Sequence, residues 1–90
     1  MPKIQAEITV YITPYCPYCV RATSLLNSKD VNFTEIDVAE NPELRTEMIQ
    51  KSNGVTSVPQ IFIGTRHIGG CDDLFAEEAA DKLDQLLFPS

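Results

Sequence analysis

The sequence of 90 residues contains no tryptophan, only three cysteines, and only seven lysines and arginines. Three cysteines are an odd and small number, which argues against a secreted disulfide framework and favours a reducing compartment, the cytoplasm. Against thirteen acidic residues, the seven basic ones leave a formal charge of −6. Because nucleic acids and anionic membranes are bound by clustered Lys and Arg, neither is expected as a partner.

Long apolar runs are also missing. No stretch approaches the roughly 18 apolar residues that would span a bilayer. The first residues, MPKIQAEITVY, lack the continuous apolar segment of a signal peptide. The length predicts a single domain over residues 1–90. A domain this small is expected to fold as a sheet with helices packed on it.

The first third of the chain predicts a strand, a helix and a second strand. Ile8–Ile12 is a nearly continuous β-branched run, typical of a strand that is covered on both faces. Residues 17–28 have the composition of a helix. The second strand is expected within residues 31–38, near the sheet edge, because its alternation slips between Phe33 and Ile36.

The middle of the chain predicts a second helix followed by a strand. Asn41 is a preferred N-cap residue and Pro42 suits a first helical turn, while Ser-Asn-Gly at 52–54 ends the helix. A strand at 61–63 follows Pro59, which stands where a missing backbone N–H is tolerated.

The last third predicts a hairpin and one final helix. A turn at 64–66 should join the third strand to a short antiparallel return strand, and the helix between the first two strands favours a parallel pair. One helix with apolar positions from Leu74 to Leu86 should end before Pro89. The expected class is α/β, with a four-stranded mixed sheet flanked by three helices in the order β-α-β-α-β-β-α.

Two of the cysteines, Cys16 and Cys19, stand in a Cys-Pro-Tyr-Cys segment between the first strand and the first helix. Unpaired N–H groups at a helix start favour the thiolate form of Cys16 over the thiol. Cys19 lies one turn inside the helix, on its inner side, and should be sheltered. An exposed attacking thiol beside a sheltered resolving thiol is the arrangement that a redox couple needs.

Two other interpretations of the cysteines compete with a redox couple. Free cysteine is often a buried core residue, which suits Cys19 alone. Cys16, Cys19, His67 and Cys71 would also supply a Cys₃His zinc set, because CxxC and HxxxC are zinc-like spacings. A CxxC between strand and helix favours the redox interpretation, with no metal. His67 is then expected to be a solvent-facing hairpin residue.

Three motifs in order, CPYC after the first strand, SVP before the third and GGCDD before the last helix, resemble the glutaredoxin family and its dithiol class. The likeness covers residues 8–87. It implies a thioredoxin-like fold and a glutathione-dependent thiol–disulfide oxidoreductase, with Cys16 as nucleophile and Cys19 as resolving thiol. The expected substrates are protein–glutathione mixed disulfides and protein disulfides, glutathione is the co-substrate, and the protein is expected to be a monomer.

The resemblance also implies a glutathione groove beside Cys16. Val58 would present its backbone to glutathione, next to a cis peptide bond at Pro59. The glycine-rich start of the last helix would bind the γ-glutamyl carboxylate through backbone N–H groups. Asp73 would pair with the γ-glutamyl amine, and Tyr18 would form one wall. The implied glutathione-binding residues are Thr13, Tyr18, Arg45, Val58, Pro59, Gly70, Cys71, Asp72 and Asp73.

The chain departs from the family pattern at Thr13, where many members carry a lysine. Arg45 matches a family position that contacts the glycine carboxylate of glutathione, and solvation of the helix face is its alternative role. A rival function, a [2Fe–2S] carrier made of two chains, is disfavoured by Pro17 in the CPYC turn. Thioredoxin-type reduction by a flavoprotein is disfavoured by GGCDD, which supplies a glutathione site.

Overall fold

A computed structural model describes residues 5–89, and the described part of the chain forms four strands and four helices. The strands are β1 (Ile8–Ile12), β2 (Thr34–Asp37), β3 (Gln60–Ile63) and β4 (Arg66–Gly69). The helices are α1 (Pro17–Ser28), α2 (Pro42–Lys51), α3 (Cys71–Ala79) and α4 (Leu83–Leu87). Within residues 5–89, none of the helices has the length and apolar character to cross a bilayer.

The strands form one mixed sheet in the order β2-β1-β3-β4. β1 runs parallel to β2 and antiparallel to β3, and β3 runs antiparallel to β4. The predicted parallel unit, the hairpin and the edge position of the second strand are therefore confirmed. The parallel pair requires α1 to cross over the sheet, which brings the start of α1 to the carboxyl end of β1.

The two faces of the sheet carry separate apolar clusters. On one face α1 and α3 pack against β1 and β3, with Leu26, Ile61 and Leu74 fully buried. On the other face α2 packs through Met48, which is also fully buried. Burial on both faces explains why β1 is a continuous apolar run rather than an alternating one.

The phase slip in the second strand has a structural cause. Phe33 packs against the cluster under α1 and α3, whereas Ile36 packs against the cluster under α2. β2 begins only at Thr34, so Phe33 belongs to the loop before it. The predicted strand at 31–38 is thus shorter than expected, because its first apolar residues serve the other face of the sheet.

The prediction of one final helix is wrong, because a turn divides it into α3 and α4. Asp81 adopts a left-handed conformation with φ 60°. The Lys82 N–H donates to the Glu77 carbonyl at 2.9 Å, and the Asp81 N–H donates to the Glu78 carbonyl at 3.0 Å. This pair of bonds is a Schellman motif, which usually places glycine where Asp81 stands. No glycine or proline marks the break in the sequence.

Candidate active site

Cys16 is the N-cap residue of α1. Its backbone is extended, with φ −104° and ψ 108°, and Pro17 occupies the first turn of the helix. The Cys19 N–H donates to the Cys16 Sγ atom at 3.3 Å, so the sulfur satisfies one of the unpaired N–H groups at the helix start. A negatively charged sulfur is favoured by this N–H and by the positive end of the helix dipole.

Cys19 is sheltered, as the sequence predicted. Cys19 is 4% exposed, whereas Cys16 is half-buried. Burial, together with a hydrogen bond to Cys16, raises the pKa of the Cys19 thiol to about 12. Both residues are free thiols in this structure. The pair therefore joins one accessible sulfur to one that stays protonated at neutral pH.

A groove of about 310 Å³ lies between the start of α1, the loop before β3 and the start of α3. Most of the residues expected to bind glutathione line it: Tyr18, Val58, Pro59, Gly70, Cys71, Asp72 and Asp73. The peptide bond between Val58 and Pro59 is cis, as the resemblance implied. The volume falls at the lower end of the range for small-molecule sites, roughly 300–1,000 Å³.

The start of α3 forms one end of the groove. The Gly70 N–H donates to the Asp73 Oδ2 atom at 3.0 Å, so the Asp73 carboxylate caps the helix. The next N–H groups, at Cys71 and Asp72, belong to the first turn, where a helix offers no carbonyl partner. Burial raises the pKa of the Cys71 thiol, which is 4% exposed. This end of the groove thus combines free backbone donors with a helix dipole, which together favour an anion.

Gly69 is required by the close approach of Asp73. It has φ 119°, a conformation that residues with a side chain rarely adopt. A Cβ atom built on Gly69 would overlap the Asp73 Oδ2 and Cγ atoms. The sequence motif GGCDD therefore has a packing reason that does not depend on any ligand.

Two residues on the expected list lie outside the groove. The Arg45 Nη2 atom donates to the Thr56 carbonyl at 2.8 Å, which ties α2 to the loop before Val58. Thr13 and Cys16 line a separate hollow of about 210 Å³. This second hollow is lined by Ile12, Thr13, Pro14, Tyr15, Cys16, Cys19, Val20, Thr23 and Glu35. The groove was expected beside Cys16, yet Cys16 borders the second hollow.

Sequence reasoning missed a polar network in the groove wall. Gln60 is 2% exposed, and its Nε2 atom donates to the Ser57 carbonyl at 3.0 Å. The His67 Nε2 atom lies 2.6 Å from the Gln60 Oε1 atom, and its ring stacks on Phe62. The expectation that His67 faces solvent is wrong, because Gln60 and Phe62 hold the imidazole half-buried in the sheet. The available signal was a glutamine directly before the predicted strand at 61–63.

The alternative zinc site does not assemble. It would need Cys16, Cys19, His67 and Cys71 to converge. Across residues 5–89, no three histidine, cysteine, aspartate or glutamate side chains come together in a geometry that could hold a metal ion. His67 is instead engaged with Gln60.

Comparison with known proteins identifies the family. The family model Glutaredoxin matches residues 8–68. A glutaredoxin of Pseudomonas aeruginosa is 55% identical over 80 residues, which cover 89% of this chain and 94% of the relative. The solution structure of glutaredoxin from Brucella melitensis matches with a TM-score of 0.84 at 50% identity, over 98% of this chain and 95% of that one.

A more distant structure shares the same thioredoxin-like fold. The crystal structure of a buckwheat glutaredoxin–glutathione complex matches with a TM-score of 0.82 at 28% identity. The match covers 91% of this chain and 76% of that one. With its Cys16–Cys19 pair in CPYC, the chain belongs to the glutaredoxin family of glutathione-dependent thiol–disulfide oxidoreductases.

Proposed function

We propose that this glutaredoxin reduces protein–glutathione mixed disulfides and protein disulfides through Cys16 and Cys19, with glutathione as co-substrate. The observation that carries the proposal is the Cys16 sulfur at the N-terminus of α1, which accepts the Cys19 N–H at 3.3 Å. This position makes Cys16 the nucleophile. The buried thiol of Cys19, with its pKa of about 12, is the resolving partner.

The groove is the proposed binding site for the glutathione half of the substrate. The γ-glutamyl carboxylate lies at the start of α3, where the Cys71 and Asp72 N–H groups are free to bind an anion. Asp73 pairs with the γ-glutamyl amine, Val58 offers its backbone to the cysteine portion, and Tyr18 covers one side. The buckwheat relative, whose structure is a glutathione complex, supports this use of the groove.

Binding glutathione aims the attack at one of two sulfurs. The Cys16 thiolate attacks the glutathione sulfur of the mixed disulfide, a new Cys16–glutathione disulfide forms, and the protein thiolate leaves and takes a proton from water. A second glutathione thiolate then attacks the bound glutathione sulfur. Oxidised glutathione leaves and Cys16 returns to its thiolate. Each cycle therefore converts the mixed disulfide and one free glutathione into the protein thiol and oxidised glutathione, whose second half comes from the substrate.

The environment of Cys19 gives the dithiol route an order of events. Burial is the main cause of the raised pKa of Cys19, and the hydrogen bond and the charge of Cys16 add to it. Once Cys16 is bonded to a substrate sulfur, its charge is gone, and burial and the nearby Cys71 are what still raise that pKa. Cys19 therefore becomes easier to deprotonate after the first step than before it, so the pair resolves a substrate disulfide without the two thiols competing for it.

Thr13 and Arg45 are assigned supporting roles. Arg45 holds the Thr56 carbonyl and so positions the loop before Val58. Thr13 borders Cys16 from the second hollow. Action as a monomer is part of the proposal. The odd and small number of cysteines supports a reducing compartment, the cytoplasm.

A steady-state assay with glutathione and a glutathione mixed disulfide of a small thiol tests the proposal. The wild-type protein should turn the substrate over, and Cys16→Ser should be inactive. Cys19→Ser should retain this activity, which needs only Cys16 and glutathione, but lose reduction of protein disulfides that require Cys19. Absence of glutathione-dependent turnover in the folded wild-type protein would refute the proposed function.

A further inference from the structure

Two hollows of different size lie near the start of α1: Tyr18 lines the glutathione groove, and Cys16 lines the second hollow. The glutathione groove has about 310 Å³, and the second hollow has about 210 Å³. Small-molecule sites usually exceed about 300 Å³, so the second hollow is too small for a tripeptide and large enough for a side chain. Cys16 and Cys19 both line it, which places it where a substrate bonded to Cys16 is resolved.

We propose that the second hollow receives a side chain of polypeptide disulfide substrates, and that Glu35 selects substrates with a lysine or arginine next to the reacting cysteine. The inference rests on the proposed function and names its substrate class. The glutathione groove recognises the small thiol, and the second hollow recognises the polypeptide.

The rim of the second hollow is apolar and exposed. Tyr15 is 103% exposed and Val20 is 62% exposed, and both are among the few large apolar side chains that residues 5–89 leave open to solvent. Tyr15 also has φ 60°, a conformation that is rare for a bulky residue. An exposed apolar patch around a nucleophile is typical of a surface that contacts another protein.

The charge of the second hollow is negative. Glu35 is the charged residue that lines it, and it is exposed on the edge strand β2, paired in register with Val10. The chain as a whole carries a formal charge of −6. A lysine or arginine fits such a hollow because its aliphatic stem can cover the apolar rim while its cation meets the carboxylate. The ring of Tyr15 offers the same cation a second contact.

One half of the polypeptide substrate stays bonded to Cys16, which lines the second hollow, until Cys19 attacks. The Cys16 thiolate attacks one sulfur of the substrate disulfide, the Cys16–substrate bond forms, and the other substrate sulfur leaves as a thiolate and takes a proton from water. Cys19 then loses its proton to water and attacks the Cys16 sulfur. The Cys16–Cys19 disulfide forms and the second substrate thiolate leaves. Two electrons pass from the two cysteines to the substrate disulfide.

A single-turnover experiment tests the proposal without glutathione. The reduced protein is mixed with disulfide dimers of a short peptide whose cysteine is flanked by lysine, alanine or glutamate, and the second-order rate constant is measured at low salt. The wild-type protein should react about 1.5- to 5-fold faster with the lysine peptide than with the alanine peptide, the range of an exposed ion pair. High salt should reduce the difference.

Three variants distinguish the effect of Glu35 from the effect of the overall charge. Glu35→Gln should abolish the lysine preference, and Glu35→Lys should reverse it in favour of the glutamate peptide. Glu40→Gln removes the same charge from an exposed residue that does not line the second hollow, so it should keep the preference. An unchanged preference in Glu35→Gln, or an equal loss in both glutamine variants, would overturn the proposal. A failure of the proposed function would appear instead as no turnover of the small mixed disulfide with glutathione.

Discussion

The His67 Nε2 atom lies 2.6 Å from the Gln60 Oε1 atom, inside the wall of the groove proposed to bind glutathione. The other end of the Gln60 amide donates to the Ser57 carbonyl at 3.0 Å. Because the amide nitrogen is used there, the oxygen faces His67, and His67 must be the donor in this contact. One buried side chain thus connects β4 to the loop that carries Val58 and Pro59.

Replacing Gln60 by leucine should weaken both the fold and glutathione binding. The variant leaves the His67 N–H without its acceptor, which costs about 1–3 kcal/mol of unfolding free energy. The loop before Pro59 loses a contact, so KM for a glutathionylated substrate should rise while kcat changes little. Urea denaturation and steady-state kinetics measure the two effects. Adding His67→Phe should recover part of the stability but not KM, and equal recovery of both would contradict a positioning role.

Alkylation should distinguish the three cysteines. Cys16 is accessible at the helix start, whereas Cys19 and Cys71 are each 4% exposed and burial raises both of their pKa values. Iodoacetamide at pH 6 should therefore modify Cys16 well before the other two. Peptide mapping after short exposures gives the order, and earlier modification of Cys19 or Cys71 would refute the assignment of the nucleophile.

The stability of the reduced protein should fall at alkaline pH. The pKa of Cys19 is raised to about 12 in the folded state from an ordinary value of 9.0, so the native state holds this proton more tightly. The resulting stabilisation is complete below pH 9 and is lost as the pH rises towards 12, with a slope of at most about 1.4 kcal/mol per pH unit. Cys19→Ala should show a smaller loss between pH 8.5 and 10, roughly the onset of this window. Parallel curves for the two proteins would contradict the raised pKa.

Asp73→Asn separates a binding role from a capping role. Asparagine can still accept the Gly70 N–H, so only the charge is lost. Loss of a charge in the first helical turn should cost about 0.3–1 kcal/mol of stability. Loss of a charge-assisted contact to the γ-glutamyl amine, about 1.5–3 kcal/mol, should raise KM roughly 10- to 150-fold.

A matched control is available in the first turn of α2. Glu43→Gln removes the same kind of charge at a site remote from the groove. It should show the stability loss without the change in KM. If Asp73→Asn also leaves KM unchanged, Asp73 is a capping residue alone.

Asp81→Gly should stabilise the protein. Asp81 adopts φ 60°, where a Cβ atom is unfavourable, and glycine is the preferred residue at this position of a Schellman motif. The gain should be about 0.5–1 kcal/mol, after allowing for the greater freedom of glycine in the unfolded chain. Asp84→Gly, inside α4, should instead destabilise, and thermal unfolding of both variants checks the contrast.

The parts of the fold that obey local rules could be predicted from the sequence. Asn41 caps α2, with its side-chain oxygen accepting the Glu43 N–H at 3.0 Å, and residues 52–54 end the helix as expected. The break between α3 and α4 could not be predicted, because Asp81 takes a glycine position without being glycine. The turn forms there because it allows Leu83 and Leu87 to pack in the core, where both are fully buried.

The candidate site likewise has a part that the sequence predicts and a part that it does not. Cys16, Cys19 and the start of α3 lie within motifs that a short stretch of sequence contains. Gln60 and His67 come from two strands, and only the antiparallel pairing of β3 with β4 brings them together. A lone histidine in a hairpin carries no signal of such a partner. Arg45 and Thr13 are the opposite case. Their positions in the sequence predicted contacts with glutathione, but neither residue lines the groove.

The close approach of Gly69 to Asp73 makes these two positions interdependent under mutation. Any side chain at position 69 meets two separate obstacles, the positive φ and the space taken by the Asp73 carboxylate. Shortening Asp73 removes only the second obstacle, and it deprives the Gly70 N–H of its acceptor. No single compensating change therefore opens position 69. Directed evolution towards a different small thiol should therefore select substitutions at the other walls of the groove. Gly69 should be retained in all of the selected variants.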